Sequence, residues 1–173
     1  KRQSITFDLH ALQSQLVFSN LVCLSVMVPL WEKYHQANPL VTPVFPDEGA
    51  KKRFTTLLGI KNAVCFTKVR GPVGDERILT LADPIDEKMA ENGFVIIDDL
   101  VRSGSTMKTA CDILHKYTKN VDAMFSHCPF EPNAARNLQC FRDIWTSDSC
   151  PKNTPREWVK IHIMTVLSSY LKK

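Results

Sequence analysis

Short apolar runs alternate with stretches of helical periodicity along the chain. The apolar runs predict strands at Ile5–Phe7, Val41–Phe45, Ala63–Phe66, Phe94–Ile97, Val121–Phe125 and Ile144–Thr146. Apolar spacing at i, i+3 and i+4 predicts helices at Val26–Gln36, Gly49–Leu58, Ser105–Tyr117, Asn133–Cys140 and Trp158–Leu171. The third of these carries Met107, Ala110, Cys111 and Leu114 on one face. The last carries Val159, Ile163, Val166, Leu167 and Tyr170. Between Lys68 and Ala82 a polar stretch holds the turn signals Gly71-Pro72 and Gly74-Asp75, followed by the alternating segment Arg77–Leu81. This interruption predicts a hairpin or mobile flap. Strand and helix in alternation predict an α/β domain with a mainly parallel sheet flanked by helices.

Composition narrows the class without naming a function. At 173 residues, 44% apolar and 23% charged, the chain is long enough for one domain with a real core. A formal charge of +4, spread along the chain apart from small clusters at Lys51-Lys52-Arg53 and Lys172-Lys173, suits an anionic small molecule and makes no case for nucleic acid. The six cysteines show no metal-ligand spacing and several sit in apolar runs, which points to a reducing, cytoplasmic compartment. No apolar run approaches the roughly 18 residues that would suggest a membrane span; the segment Leu21–Trp31 is short and contains Pro29. The sequence begins with Lys and shows no signal-peptide pattern, and the expectation is a longer polypeptide or a piece that associates with further copies.

The segment FVIIDDLVRSGST, residues 94–106, concentrates the candidate chemistry. Phe94–Ile97 ends at two adjacent carboxylates, Asp98 and Asp99, and a loop of Arg102, Ser103, Gly104, Ser105 and Thr106 opens the next helix. Backbone amides at a helix start hold a phosphate. The carboxylates accept hydrogen bonds from ribose hydroxyls or hold Mg²⁺ through water. A helix-capping turn would need one such residue, not two acids and a Ser-Gly-Ser-Thr run. Ligands of parallel sheets sit at the carboxyl ends of the strands. Other strands end there in Asp47-Glu48-Gly49, where Asp47 is either a cation site or a helix cap, and in Asp8-Leu9-His10. Lys68 and Arg70 place two cations at the mouth of the flap.

Taken together, these segments resemble ribose-phosphate pyrophosphokinases, the phosphoribosyl pyrophosphate (PRPP) synthetases, and look most like the class II variant typified by plant enzymes. The resemblance rests on ITFDLHALQ (5–13), FPDEGAKKRF (45–54), KVR (68–70), VIIDDLVRSGST (95–106), SHCPFEP (126–132) and TSDSCP (146–151), in that order. It implies a type I phosphoribosyltransferase-like domain, with 1–25 as the tail of a first domain and 26–173 as a second. It also implies transfer of the diphosphoryl group of ATP to the 1-hydroxyl of ribose 5-phosphate, with Mg²⁺ as cofactor and a homo-oligomeric assembly. On this resemblance Lys68 and Arg70 are catalytic and His10 and Asp47 are associated with metal. Asp98 and Asp99 face the ribose, and Arg102, Ser103, Gly104, Ser105 and Thr106 grip the 5-phosphate. Two departures stand out. Arg102 replaces an Asp of the commoner enzymes, and no adenine-binding residues are identifiable. A type I phosphoribosyltransferase that uses PRPP, or a non-catalytic regulatory subunit of a synthetase, are the alternatives.

Overall fold

The computed structural model describes residues 4–10, 17–18, 20–70, 77–150 and 161–165. Strands β1 (Ser4–Phe7) and β2 (Leu21–Leu24) pair in parallel as a small separate sheet. Helix α1 (Met27–Ala37) then leads into the main sheet. That sheet contains β3 (Thr42–Phe45), β4 (Val64–Arg70), β5 (Arg77–Leu81), β6 (Phe94–Leu100), β7 (Val121–His127), β8 (Ile144–Ser147) and β9 (Ile161–Met164). The connecting helices are α2 (Glu48–Leu58), α3 (Glu87–Asn92), α4 (Ser105–Leu114) and α5 (Pro132–Leu138). The seven strands lie in the order β5-β4-β3-β6-β7-β8-β9. Every pairing is parallel except the β4–β5 hairpin, whose ladder runs from Phe66 opposite Leu81 to Arg70 opposite Arg77.

The continuous apolar run of β6 follows from its central place. Phe94, Val95, Ile96 and Ile97 are all fully buried, because both faces of the sheet are covered. Strand alternation sends Phe94 and Ile96 to one side, among Met107, Ala110, Cys111 and Leu114 of α4 and Ala134 and Leu138 of α5. Val95 and Ile97 go to the other side, among Met27, Leu30 and Tyr34 of α1 and Phe54 of α2. Removing such a side chain to Ala costs about 2–5 kcal/mol. The polar ends are then forced to the strand termini.

The expected parallel α/β layout is present; one expected element changes and two unexpected ones appear. The helix anticipated over Trp158–Leu171 is a strand at Ile161–Met164, where it completes the open edge of β8 with Ile144 opposite Ile161; residues 151–160 and 166–173 lie outside those described. Unpaired backbone donors on β8 favour this pairing over an isolated amphipathic turn. Strand β2 and helix α3 carried no clear periodic signal. Helix α3 owes its limits to end effects: the Asp86 carboxylate accepts from the Met89 N–H at 2.8 Å, and Gly93 follows the helix with φ +80°. The hairpin expected between Lys68 and Ala82 is present as β4 and β5, and its tip, residues 71–76, lies outside the described residues.

Candidate functional site

Because β3, β4, β6 and β7 run parallel, their carboxyl ends meet at one edge. Asp98 and Asp99 close β6 there. Asp99 is buried, and its N–H donates to Asp98 Oδ1 at 2.9 Å. Two residues distant in sequence converge on this pair. His10 Nδ1 lies 2.8 Å from Asp99 Oδ2; a carboxylate only accepts, so the ring carries its proton on Nδ1. The Arg53 guanidinium on α2 donates to the same carboxylate and also to the Leu9 carbonyl. Burial pushes the Asp98 carboxyl up to about 7, the charge of Asp99 and more weakly that of Asp47 add to it, and the Asp99 N–H opposes it. The edge therefore presents Asp99, held by His10 and Arg53, beside Asp98, whose carboxyl burial pushes up towards neutrality.

Of the roles open to Asp47 from the sequence, the helix cap is the one observed, and the capping residue also borders the cavities. Its extended backbone caps α2, with Oδ1 accepting from the Ala50 N–H at 3.0 Å, and its side chain lines the cavity floor. Lys68 Nζ sits 3.7 Å from Asp47 Oδ2, an exposed pair that contributes at most about 1 kcal/mol. Its value here is to hold the ammonium at the rim. Arg70 is the last residue of β4, in register with Arg77.

The loop between β6 and α4 is held from beneath. Gly104 takes φ +75° as the residue before α4, and no side chain caps that helix. The Ser105 N–H reaches the Ser103 hydroxyl at 3.5 Å, and the amides that follow it in the first turn have no side-chain cap. The Asn137 side-chain amide donates to the Ser103 carbonyl at 2.8 Å, and a Cβ on Gly104 would meet Leu138 Cγ at 3.2 Å. The Ser103 and Ser105 hydroxyls lie 3.2 Å apart. Arg102 is largely exposed and pairs with Glu131 at 3.1 Å.

Two adjoining cavities result. One of about 280 Å³ is lined by Arg102, Ser103, Gly104, Ser105 and Thr106 on one side and by the acids on the other. The second, about 470 Å³, is lined by Lys52, Arg53, Gly49 and Ala50. His10, Asp47, Asp98 and Asp99 border both. The structure thus brings together every sequence-predicted site residue except Arg70, whose backbone alone is described, and Lys68, which joins through Asp47. The sequence places Lys52 and Arg53 in a basic cluster and in the FPDEGAKKRF block, and assigns neither to the site. A sharper signal was available: Arg53 stands three residues after Ala50 and beside Phe54, both buried, on a helix that begins at the site.

Among the described residues, no group of three or more His, Cys, Asp or Glu side chains converges closely enough to hold a metal ion alone. The donor set around the shared rim, oxygen-rich and open to a ligand, suits a cation that keeps waters and shares substrate phosphates, which is the habit of Mg²⁺.

No protein-family model matches the chain. It is 32% identical over 163 residues to ribose-phosphate pyrophosphokinase 4 of Oryza sativa subsp. japonica, covering 86% of this chain and 49% of that protein. It is 34% identical over 164 residues to ribose-phosphate pyrophosphokinase 3, mitochondrial, of Spinacia oleracea, covering 85% of this chain and 39% of that one. Other relatives carry chloroplastic names, and no helix among the described residues is long and apolar enough to cross a membrane. The fold matches that of phosphoribosylpyrophosphate synthetase from Mycobacterium smegmatis with a TM-score of 0.79 at 17% identity, over 95% of this chain and 55% of that one. The chain is a homologue of ribose-phosphate pyrophosphokinases that spans about half the length of the curated relatives it matches.

Proposed function

We propose that this chain carries the ribose 5-phosphate site of a ribose-phosphate pyrophosphokinase, which transfers the diphosphoryl group of ATP to the 1-hydroxyl of the sugar and yields PRPP and AMP. The observation that carries the reading is the smaller cavity, where a Ser-Gly-Ser-Thr helix start faces two carboxylates. The amides of residues 103–106 hold the 5-phosphate. Asp98 and Asp99 accept hydrogen bonds from ribose hydroxyls and fix the sugar's orientation. Lys68 and Arg70, on the hairpin, stabilise negative charge on the transferred group in the transition state. Mg²⁺, held with His10 and Asp47, would supply charge neutralisation on the phosphate oxygens. Residues 26–173 then form the second of two related domains and 1–25 the tail of the first, in a polypeptide that assembles as a homo-oligomer.

A second reading, ribose 5-phosphate binding without turnover in a regulatory subunit, draws support from Asp99, whose Oδ2 is already engaged by both His10 and Arg53. An assay of AMP release from ATP with ribose 5-phosphate and Mg²⁺ on the full polypeptide separates the two. Turnover supports the synthetase, and sugar-phosphate binding without AMP supports the regulator.

A further inference from the structure

His10 borders both cavities, yet its side chain is 79% exposed. Little packing fixes such a ring, so its place against Asp99 is set by the backbone that delivers it. That backbone belongs to the β1 segment, which pairs with β2 and not with the main sheet. Asp8, two residues before His10, joins the two parts. Its carboxylate is buried at 5% exposure. Oδ2 accepts from the N–H groups of Val26 at 2.9 Å and Met27 at 3.1 Å, at the start of α1, and from the Ser126 hydroxyl of β7 at 2.7 Å. Its own N–H donates to the Leu24 carbonyl at 2.9 Å. An acid in this position is favoured by the helix dipole as well as by its three donors.

The neighbours reinforce the docking. The His127 ring donates from Nε2 to the Phe7 carbonyl at 3.0 Å, and Arg53 donates to the Leu9 carbonyl. Asp8 itself sits at φ +37°, a left-handed conformation that costs a non-glycine residue free energy unless its surroundings hold it there. Three successive residues are thus tied to β7, α1 and α2 before the chain turns His10 towards Asp99.

We infer that Asp8 is a positioning residue of the site: it docks the β1 segment on α1 and β7 and thereby places His10 on Asp99. The inference rests on the reading of this cavity as the ribose-phosphate site only for its functional consequence. The placement itself is measurable without ligand.

The test uses the full chain with ¹³C-labelled histidine at fixed pH, together with calorimetric titration of ribose 5-phosphate in Mg²⁺. In the otherwise unaltered chain, Asp99→Asn shifts the His10 ring signal. In Asp8→Ala that response disappears, while Asp8→Asn, which keeps one acceptor oxygen, retains it. Ribose 5-phosphate affinity in Asp8→Ala falls to the level of His10→Ala, and the double variant loses no more than either single one, as expected of residues acting in series. A purely structural Asp8 would instead lower the unfolding midpoint and add its loss to that of His10→Ala. Should Asp8→Ala not fold, Ser126→Ala removes the shortest of the three bonds and weakens the His10 response. An unchanged response in whichever variant folds, or additive losses, overturns the inference. Absence of ribose 5-phosphate binding by the unaltered chain would remove the ribose-phosphate reading and leave the His10 response to decide this one.

Discussion

Arg53 on α2 and Asp99 near the end of β6 form an ion pair in the wall of the larger cavity, and the same guanidinium reaches the carbonyl of Leu9. One side chain therefore ties a helix, the central strand and the β1 segment. Asp99 is 7% exposed at its side chain and Arg53 20%, so the pair is largely removed from solvent. Removing one partner of such a pair leaves the other charge buried, at a cost of about 3–5 kcal/mol when burial is complete.

Arg53→Ala is accordingly expected to lower the unfolding free energy by about 2–3 kcal/mol, somewhat below the fully buried figure. It should weaken ribose 5-phosphate binding by roughly tenfold, the equivalent of about 1.4 kcal/mol. Arg53→Lys keeps the charge but loses the two-partner fork, so it should recover stability better than affinity. Denaturant unfolding and calorimetric titration read the two effects separately. Affinity equal to the unaltered chain in Arg53→Ala would remove Arg53 from the site.

Asp98 sets a pH dependence whose sign is fixed by its raised value. Its folded carboxyl keeps a proton to about 7, while the unperturbed value is 3.8. The folded state therefore binds the extra proton between those values, and the stability this group contributes is present at low pH and lost as pH rises through 7. Asp98→Asn should flatten the stability profile between about pH 4 and 7. Cation binding has the opposite sign, since Mg²⁺ favours the ionised form, and should tighten across the same interval. Unfolding midpoints and Mg²⁺ titrations at stepped pH measure both; an Asp98→Asn profile that parallels the original would show that another group is responsible.

The loop floor gives a prediction about shape. Gly104 has φ +75°, and a Cβ there would lie 3.2 Å from Leu138 Cγ and 3.3 Å from Asn137 Cβ. Gly104→Ala should cost about 1–2 kcal/mol for the left-handed backbone alone. It should also displace the amides that face the cavity, so binding of inorganic phosphate falls along with that of the sugar phosphate. Asn137→Ala removes only the 2.8 Å bond to the Ser103 carbonyl and should produce a milder loss in the same direction. Phosphate affinity preserved in both variants would argue against the loop as the phosphate site.

The residues of this site are unequally legible in the sequence. Phe94–Ile97 was legible because a four-residue apolar run fits a strand covered on both faces, and the acids after it mark the strand's end. Asp47 was legible as cap or ligand group because both roles ask for a short acid at a helix start. Arg53 was not, since a Lys-Lys-Arg run reads as solvated surface until α2 is known to begin at the site. Asp8 was hidden for a similar reason. Its partners Val26, Met27 and Ser126 are brought to it by tertiary packing alone. The apolar residues of Ile161–Met164 fit a helical face in the sequence, whereas pairing with β8 makes the segment a strand.

Lys68 lies at the rim, 3.7 Å from Asp47, and not among the residues that line either cavity. On the proposed diphosphoryl transfer, a charge placed there would act mainly when negative charge develops on the transferred group. In the full polypeptide, Lys68→Ala should lower kcat by at least about 100-fold, the scale set by loss of a transition-state charge partner, with much less change in ribose 5-phosphate binding. Equal losses in both would assign Lys68 to substrate binding instead.

On the proposed function, the cavity between the Ser103–Thr106 loop and the Asp98-Asp99 pair binds ribose 5-phosphate. Calorimetric titration of the full chain with ribose 5-phosphate in Mg²⁺, beside inorganic phosphate and with Asp98→Asn/Asp99→Asn as control, tests it most directly. Saturable one-site binding at least about tenfold tighter than phosphate is expected, a gain of about 1.4 kcal/mol from the ribose hydroxyls, and the double variant should lose that gain. Ribose 5-phosphate that binds no more tightly than phosphate, or equally well to the double variant, would contradict it.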